Sequence, residues 1–251
     1  MNCKKTNFSN NDPVSIIIAV YNEAGTIEDE ILNIRSKILS KIPGSELIIA
    51  EDGSMDGTQE IILKYVCDND IIHSSGTQRK GYARALKDAI HIAQNPYVFF
   101  SDTGGKFDFD DFGKLYDLRE KYSLIIGVRS NRSDKLYRRV LTVSYNFILR
   151  KYFNIYLEDS DSGFRMYKRE LIKKIGNEAW VNTALIESEL TLRAIFSGGS
   201  VGYVPVAYMQ RSGISRGLPP QNIFKVIVSV LKNFPKLKTV LLSDDYSKIQ
   251  D

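Results

Sequence analysis

The first half of the chain alternates between β-branched runs and segments with helical apolar spacing, and that alternation leaves few folds open. Residues 14–20 (VSIIIAV) are a nearly continuous β-branched run, the pattern of a strand buried on both faces. Residues 26–40 carry Ile27, Ile31, Ile34 and Ile38 at helical spacing, with Thr26 placed as an N-cap and Asp29 as its capping-box partner. The alternation continues with strands at 46–50, 71–73, 97–101 and 124–128. Helices at 58–66, 82–93 and 109–122 separate them. Such spacing implies βαβ units and a mainly parallel sheet with right-handed connections. After Arg129 the pattern changes. A helix at 138–153 precedes an edge or antiparallel strand at 162–167, a helix at 185–196, a strand at 201–208 carrying Pro205, and a last helix at 221–234.

Composition narrows the class. At 251 residues, with 43% hydrophobic and 25% charged side chains, the chain is neither disordered, collagen-like nor a disulfide mini-protein. Its apolar runs fall short of the roughly 18–20 residues of a membrane span. Residues 1–12 are polar and lack the apolar core of a secretory signal. Cys3 and Cys67 cannot build a disulfide framework, so a reducing cytosol is the expected compartment. The net charge of +4 hides an uneven distribution: residues 1–120 sum to −6, 121–174 to +8 and 175–251 to +2. A basic middle suits an anionic lipid, a phosphorylated ligand or nucleic acid, and a merely lopsided solvated surface explains it equally well.

In open parallel α/β sheets, ligands bind beyond the carboxyl ends of the strands. Here those ends read Tyr21-Asn22-Glu23, then Glu51-Asp52-Gly53-Ser54, then Arg79-Lys80-Gly81, then Asp102-Thr103-Gly104-Gly105-Lys106, then Gly127-Val128-Arg129. Carboxylates, turn formers and cations gather along one edge, which suits a metal-bound phosphate ligand. Singly, each has a plainer reading: residues 51–58 as a turn and helix cap, residues 79–81 as a solvated helix start. No G-x-G-x-x-G follows the first strand and no P-loop motif occurs, which disfavours a dinucleotide fold and a P-loop enzyme.

Six segments in order carry a resemblance. They are residues 14–23, residues 49–58 (IAEDGSMDGT), Phe100-Ser101-Asp102, residues 159–165 (DSDSGFR), the helix holding Glu189-Leu190, and residues 204–216 with Val204-Pro205, Arg211 and Ser215. Together they resemble the family 2 glycosyltransferases of the GT-A fold, in the polyprenyl-phosphate, dolichol-phosphate mannosyltransferase-like branch. The resemblance covers about residues 13–216, leaving residues 1–12 as a tail and 217–251 as an amphipathic helix and tail. It implies a Rossmann-like, mainly parallel sheet flanked by helices, with a small antiparallel C-terminal part. It further implies that Tyr21, Asn22, Glu23, Glu51 and Asp52 contact the donor nucleoside, Gly81 and Lys106 lie on the donor side, and Asp102 holds Mg²⁺ or Mn²⁺ on the diphosphate. Arg129 falls near the donor sugar and phosphates, Gly163 and Arg165 beside the acceptor, and Arg211 and Ser215 on a closing loop.

One departure stands out. The family's D-x-D places a second aspartate at position 104, which here is Gly104. Asp102 with the diphosphate then holds the cation, or Lys106 replaces part of its charge, or the chain is a catalytically silent nucleotide-sugar-binding subunit. The expected reaction is inverting transfer from a nucleotide-diphosphate sugar to a polyprenyl phosphate. The alternative acceptor is a glycan hydroxyl in cell-surface polysaccharide synthesis. A hydroxyl needs a general base, for which Glu187 and Glu189 are candidates, whereas a phosphate is already ionised. Arg138 and Arg139 suit a lipid phosphate or the cytoplasmic membrane face. The helix at 221–234 suits the membrane interface, the core or a second subunit alike, and no nucleic-acid partner is expected.

Overall fold

Among the described residues, seven strands form a single sheet in the order β3-β2-β1-β4-β6-β5-β7. They are β1 (Val14–Val20), β2 (Glu46–Glu51), β3 (Ile71–Ser74), β4 (Tyr97–Asp102), β5 (Leu124–Ser130), β6 (Phe164–Lys168) and β7 (Val201–Ala207). The computed structural model describes residues 12–66, 70–75, 79–130, 136–181, 185–209 and 220–243, and within these the side chains of residues 136, 138 and 220–226 are left aside. Cys3, Cys67, Gly76, Arg132, Lys135, Arg211 and Ser215 lie outside the described residues, as does the Arg138 side chain.

The β-branched strands are central because both their faces are covered. One side buries Ile16, Ile18 and Ile49 against α1 (Ile27–Ile34) and its π-helical continuation Arg35–Leu39. The other buries Ile17, Ile48 and Phe100 against α3 (Tyr82–Ile92) and α7 (Ile186–Phe196). α2 (Thr58–Leu63) follows β2, and α4 (Phe112–Tyr116) follows a 3₁₀ turn at Phe109–Asp111. The helix expected over 109–122 is thus much shorter. Asp108 caps the 3₁₀ turn by accepting the Asp110 N–H at 2.9 Å. Thr26 precedes α1 without capping it; its hydroxyl instead donates to a Glu23 carboxylate oxygen at 3.2 Å.

β6 is antiparallel to both β4 and β5, and the other pairs among the described strands are parallel. The antiparallel strand therefore lies inside the sheet, while β7 with Pro205 forms the edge. This reversal carries the functional consequence: the start of β6, at Gly163, joins the carboxyl ends of β1, β2, β4 and β5. α6 (Arg169–Asn177), which the sequence reading leaves unassigned, packs behind β6 with Ile172 and Ile175 buried.

α5 (Leu136–Phe153) and α8 (Pro220–Leu241) form a third packing centre, in which Leu149 and Phe153 meet Phe234, Leu237 and Leu192. α8 runs through Pro235 and past the expected end at 234. Among the described residues, no helix is long and apolar enough to cross a membrane.

Candidate active site

Asp102 ends β4 at the centre of the carboxyl edge. Its backbone N–H donates to the Gly163 carbonyl at 2.9 Å, extending the β4–β6 ladder by one step. Its carboxylate lies over Gly163, so a Cβ there would come within 2.6 Å of Oδ2 and nearer still to Oδ1. Lys106 Nζ sits 3.1 Å from Asp102 Oδ2. Burial works to raise the Asp102 pKa, but Lys106, Arg129 and Arg165 outweigh it and hold the group below the usual aspartate range.

Around Asp102 stand two further carboxylates. Glu187, in the first turn of α7, accepts a short hydrogen bond from the Tyr82 hydroxyl. Burial and the Asp102 charge raise its pKa against the pull of Arg165. Asp161 is raised to about 7, chiefly by burial and by Glu187, with Arg129 opposing. Asp102, Gly163, Arg165, Glu187 and Tyr82 line one small pocket whose apolar wall includes Ile17, Leu86 and Phe100. An ionised carboxylate beside two whose charge is disfavoured is the arrangement that separates a cation ligand from proton-handling groups.

Two arginines brace this pocket. Arg165 is 1% exposed. It donates to the carbonyls of Ser160, Ser162 and Glu187, to the Thr191 hydroxyl and to Tyr167. It therefore ties the 160–165 segment to α7 while lining the pocket beside Asp102. Arg129 is held by Asp159, whose carboxylate accepts from Arg129 Nε at 2.8 Å and from its backbone N–H at 3.0 Å.

The donor-side candidates are close together and mutually bonded. Asn22 adopts a left-handed conformation at φ 53°, accepts the Met55 N–H at 2.8 Å and donates its own N–H to Ser54. Glu23 is buried, and its backbone N–H donates to the Thr58 hydroxyl oxygen at 2.8 Å. Glu51 accepts from Ser54 N–H and from Gln59 at 2.7 Å, so it holds its own turn together. Asp52 Oδ1 accepts the N–H groups of Lys80 and Gly81, each at 2.7 Å, which docks the start of α3 on the end of β2. Arg79 lies 4.2 Å over the Tyr21 ring and 3.6 Å from Asp52 Oδ2. Tyr21 and Arg79 thus form a flat, cationic platform at the edge.

Glu189 is not brought to this site. It is fully buried, accepts the Val181 N–H at 2.9 Å and pairs with Arg193 at 2.7 Å one helical turn on. Its α7 face points toward residues 178–181, whereas Glu187 faces Asp102. Three residues that the sequence reading does not single out do reach the site: Asp161, Tyr82 and Glu30. Glu30 is buried behind the Gly104-Gly105 turn and accepts the Gly105 N–H at 2.7 Å. Its spacing of three from Ile27 places it on the buried stripe of α1, which is the one signal that marks it. Gly104 itself has φ 90°, a conformation that an aspartate side chain adopts only with strain.

The profile of "Glycosyl transferase family 2" matches residues 15–176. Glycosyltransferase AglD of Haloferax volcanii is 29% identical over 204 residues, 77% of this chain but 32% of that protein's length. The Dolichyl-phosphate hexose transferase of the same organism is 24% identical over 206 residues, covering 80% of this chain and 85% of its own length. Among solved structures, the mannosyltransferase PcManGT of Pyrobaculum calidifontis, determined with GDP-Man and Mn²⁺, superposes with a TM-score of 0.63 at 19% identity. That match covers 92% of this chain and 64% of PcManGT. Glucosyl-3-phosphoglycerate synthase of Mycobacterium tuberculosis superposes with a TM-score of 0.64 at 16% identity, over 89% of this chain and 78% of its own. These neighbours share the GT-A fold. The match spans well over half of the sequence and includes the strand ends that build the pocket, and the chain belongs to glycosyl transferase family 2.

Proposed function

We propose that this chain transfers a sugar from a nucleotide-diphosphate sugar to a polyprenyl phosphate, with inversion at the anomeric carbon. The observation that carries the reading is the placement of an ionised Asp102 between Lys106 and the glycine that opens β6. The bond that breaks joins the sugar C1 to the diphosphate oxygen, and the electron pair leaves with the nucleoside diphosphate. The bond that forms joins C1 to an acceptor phosphate oxygen arriving from the opposite face. Charge grows on the leaving diphosphate, where preorganised positive groups stabilise it most.

A divalent cation fits this site in one way. Among the described residues no group of three His, Cys, Asp or Glu is placed to hold a metal ion together, so Asp102 would be the cation's single carboxylate. Diphosphate oxygens and water would complete the shell, as suits Mg²⁺ or Mn²⁺. Such a cation would neutralise the diphosphate charge. Lys106 holds Asp102 ionised and adds its own positive charge. Arg165 and Arg129 fix the 159–165 segment, and the Tyr21–Arg79 platform suits stacking of the nucleobase.

An ionised phosphate acceptor needs no base, and none is asked of Glu187 or Asp161, whose pKa values burial raises. The same raised Glu187 supports the second reading, a glycan hydroxyl as acceptor with Glu187 as base. The test offers radiolabelled nucleotide sugars with polyprenyl phosphate or with oligosaccharides, each with and without EDTA. Label entering the lipid fraction, and lost with EDTA, is the expected result. Transfer to oligosaccharide alone establishes the second reading. Nucleotide binding without transfer to either overturns both.

A further inference from the structure

α5 exposes a large apolar face beside the active edge. Val140, Val143 and Phe147 are 55%, 69% and 59% exposed, and Ile148 completes the stripe. They occupy the side of α5 opposite Leu149 and Phe153, which pack into the α5–α8 core. Exposed Val and Phe in one continuous stripe are unusual on a solvated helix and mark a surface that is covered in use.

The charges identify the cover. Leu136–Phe153 contains Arg138, Arg139, Arg150 and Lys151 and no acidic residue. Pro220–Leu241 contains Lys225, Lys232, Lys236 and Lys238 and again no acidic residue. Exposed Arg139, Arg150 and Lys151 rim the α5 stripe. α8 repeats the pattern: Ile227, Leu231 and Pro235 share an exposed face, with exposed Lys232 and Lys236 beside it. An apolar stripe on a helix that carries cations and no acidic residue complements anionic headgroups over acyl chains. A self-complementary protein interface would carry acidic partners for these cations, and neither helix has one.

We propose that the exposed face of α5, led by Val143 and Phe147, docks this chain on an anionic lipid surface. The proposal rests on the lipid-phosphate reading above and extends it to the route of the acceptor. α5 follows directly from the carboxyl end of β5. Its buried Asn146 accepts from the Ser160 hydroxyl at 2.8 Å and from the Ser160 N–H at 3.2 Å, and the Ser160 carbonyl in turn accepts from Arg165. The lipid-facing helix and the pocket segment 159–165 are therefore one packed unit, so docking presents the pocket to headgroups at the membrane surface.

The test is vesicle flotation of the full chain. Vesicles are phosphatidylcholine alone or phosphatidylcholine with phosphatidylglycerol, at low and high NaCl. Binding to the anionic vesicles that weakens in salt and exceeds binding to neutral vesicles is expected. The double substitution Val143→Ser with Phe147→Ser should reduce vesicle partitioning by about tenfold or more, since it withdraws two apolar side chains from the interface. Lys151→Glu should weaken anionic binding alone. Nucleoside diphosphate thermal shifts should match wild type in both variants, and a wild type without that shift would count against the transferase reading and not against docking. Equal partitioning of wild type and double variant overturns the proposal. So does wild type that ignores both vesicles, or a wild-type dimer that the double variant converts to monomer.

Discussion

Asp102 and Gly163 are in contact across the β4–β6 pair, joined by the 2.9 Å hydrogen bond from the Asp102 N–H to the Gly163 carbonyl. The missing side chain at 163 is what lets the Asp102 carboxylate lie flat on the start of β6. The antiparallel reversal of β6 and the glycine in S-G-F-R thus serve one purpose, which is to make room at the centre of the carboxyl edge.

Replacing Gly163 should accordingly act on Asp102 before it acts on the fold. Gly163→Ala places a methyl group where the carboxylate sits, and relief of that overlap costs about 1–3 kcal/mol. Sugar transfer should fall by about a hundredfold or more, the scale of a displaced catalytic group. Nucleotide binding through the Tyr21 side should persist. Steady-state kinetics with a parallel thermal melt checks this, and an unchanged kcat would count against the assignment.

Glu187 and Glu189 should separate cleanly. Glu189→Ala removes one carboxylate from the fully buried Arg193, which also pairs with Glu178 and donates to the Ala179 carbonyl. Leaving such a charge short of a partner costs about 3 kcal/mol, so the thermal midpoint should drop by several degrees. Glu187→Gln should leave stability nearly intact. With a phosphate acceptor its rate should stay within about tenfold of wild type, whereas loss of a general base costs roughly 10²–10⁴.

Much of this was legible in the sequence. The β-branched runs and the Ile stripe of α1 follow from burial on both faces, and the strand-end motifs follow from topology. The central place of β6 was not legible, because its local pattern is that of an edge strand and only tertiary pairing inserts it between β4 and β5. Glu187 and Glu189 are two residues apart on one helix, and spacing alone could not say which faces Asp102. Asp161 sits within a recognised segment, yet its role depends on Glu187, distant in sequence.

Glu30 makes the stability of the chain depend on pH. Burial, opposed by the Gly105 and Gly104 N–H groups, raises its pKa from 4.5 to about 7. The folded state therefore holds this proton more tightly than the unfolded chain does. Stability is fully present below about pH 4.5 and falls as pH rises toward 7, by roughly 1–3 kcal/mol for this group. Glu30→Gln keeps an acceptor for Gly105 and removes the titration. Thermal melts at pH 5.5 and 8 should show the wild type losing more stability than the variant; parallel melts would refute the assignment.

A second aspartate at position 104 should not improve the site. Gly104→Asp imposes a side chain on a φ of 90°, at a cost of about 1–3 kcal/mol. The variant should melt lower and show no gain in metal-dependent nucleotide affinity by calorimetry. A tighter Mn²⁺-dependent affinity would contradict the account of the Gly104-Gly105 turn.

The most direct measurement compares wild type with Asp102→Asn in transfer of a labelled sugar to polyprenyl phosphate in the presence of Mg²⁺ or Mn²⁺. The variant keeps the size of the side chain and the backbone bond to Gly163 while removing the charge. The account predicts transfer by the wild type, a drop of about a hundredfold or more in the variant, and similar thermal midpoints for both. Full activity in Asp102→Asn, or no transfer by a wild-type protein that binds the nucleotide, would contradict it.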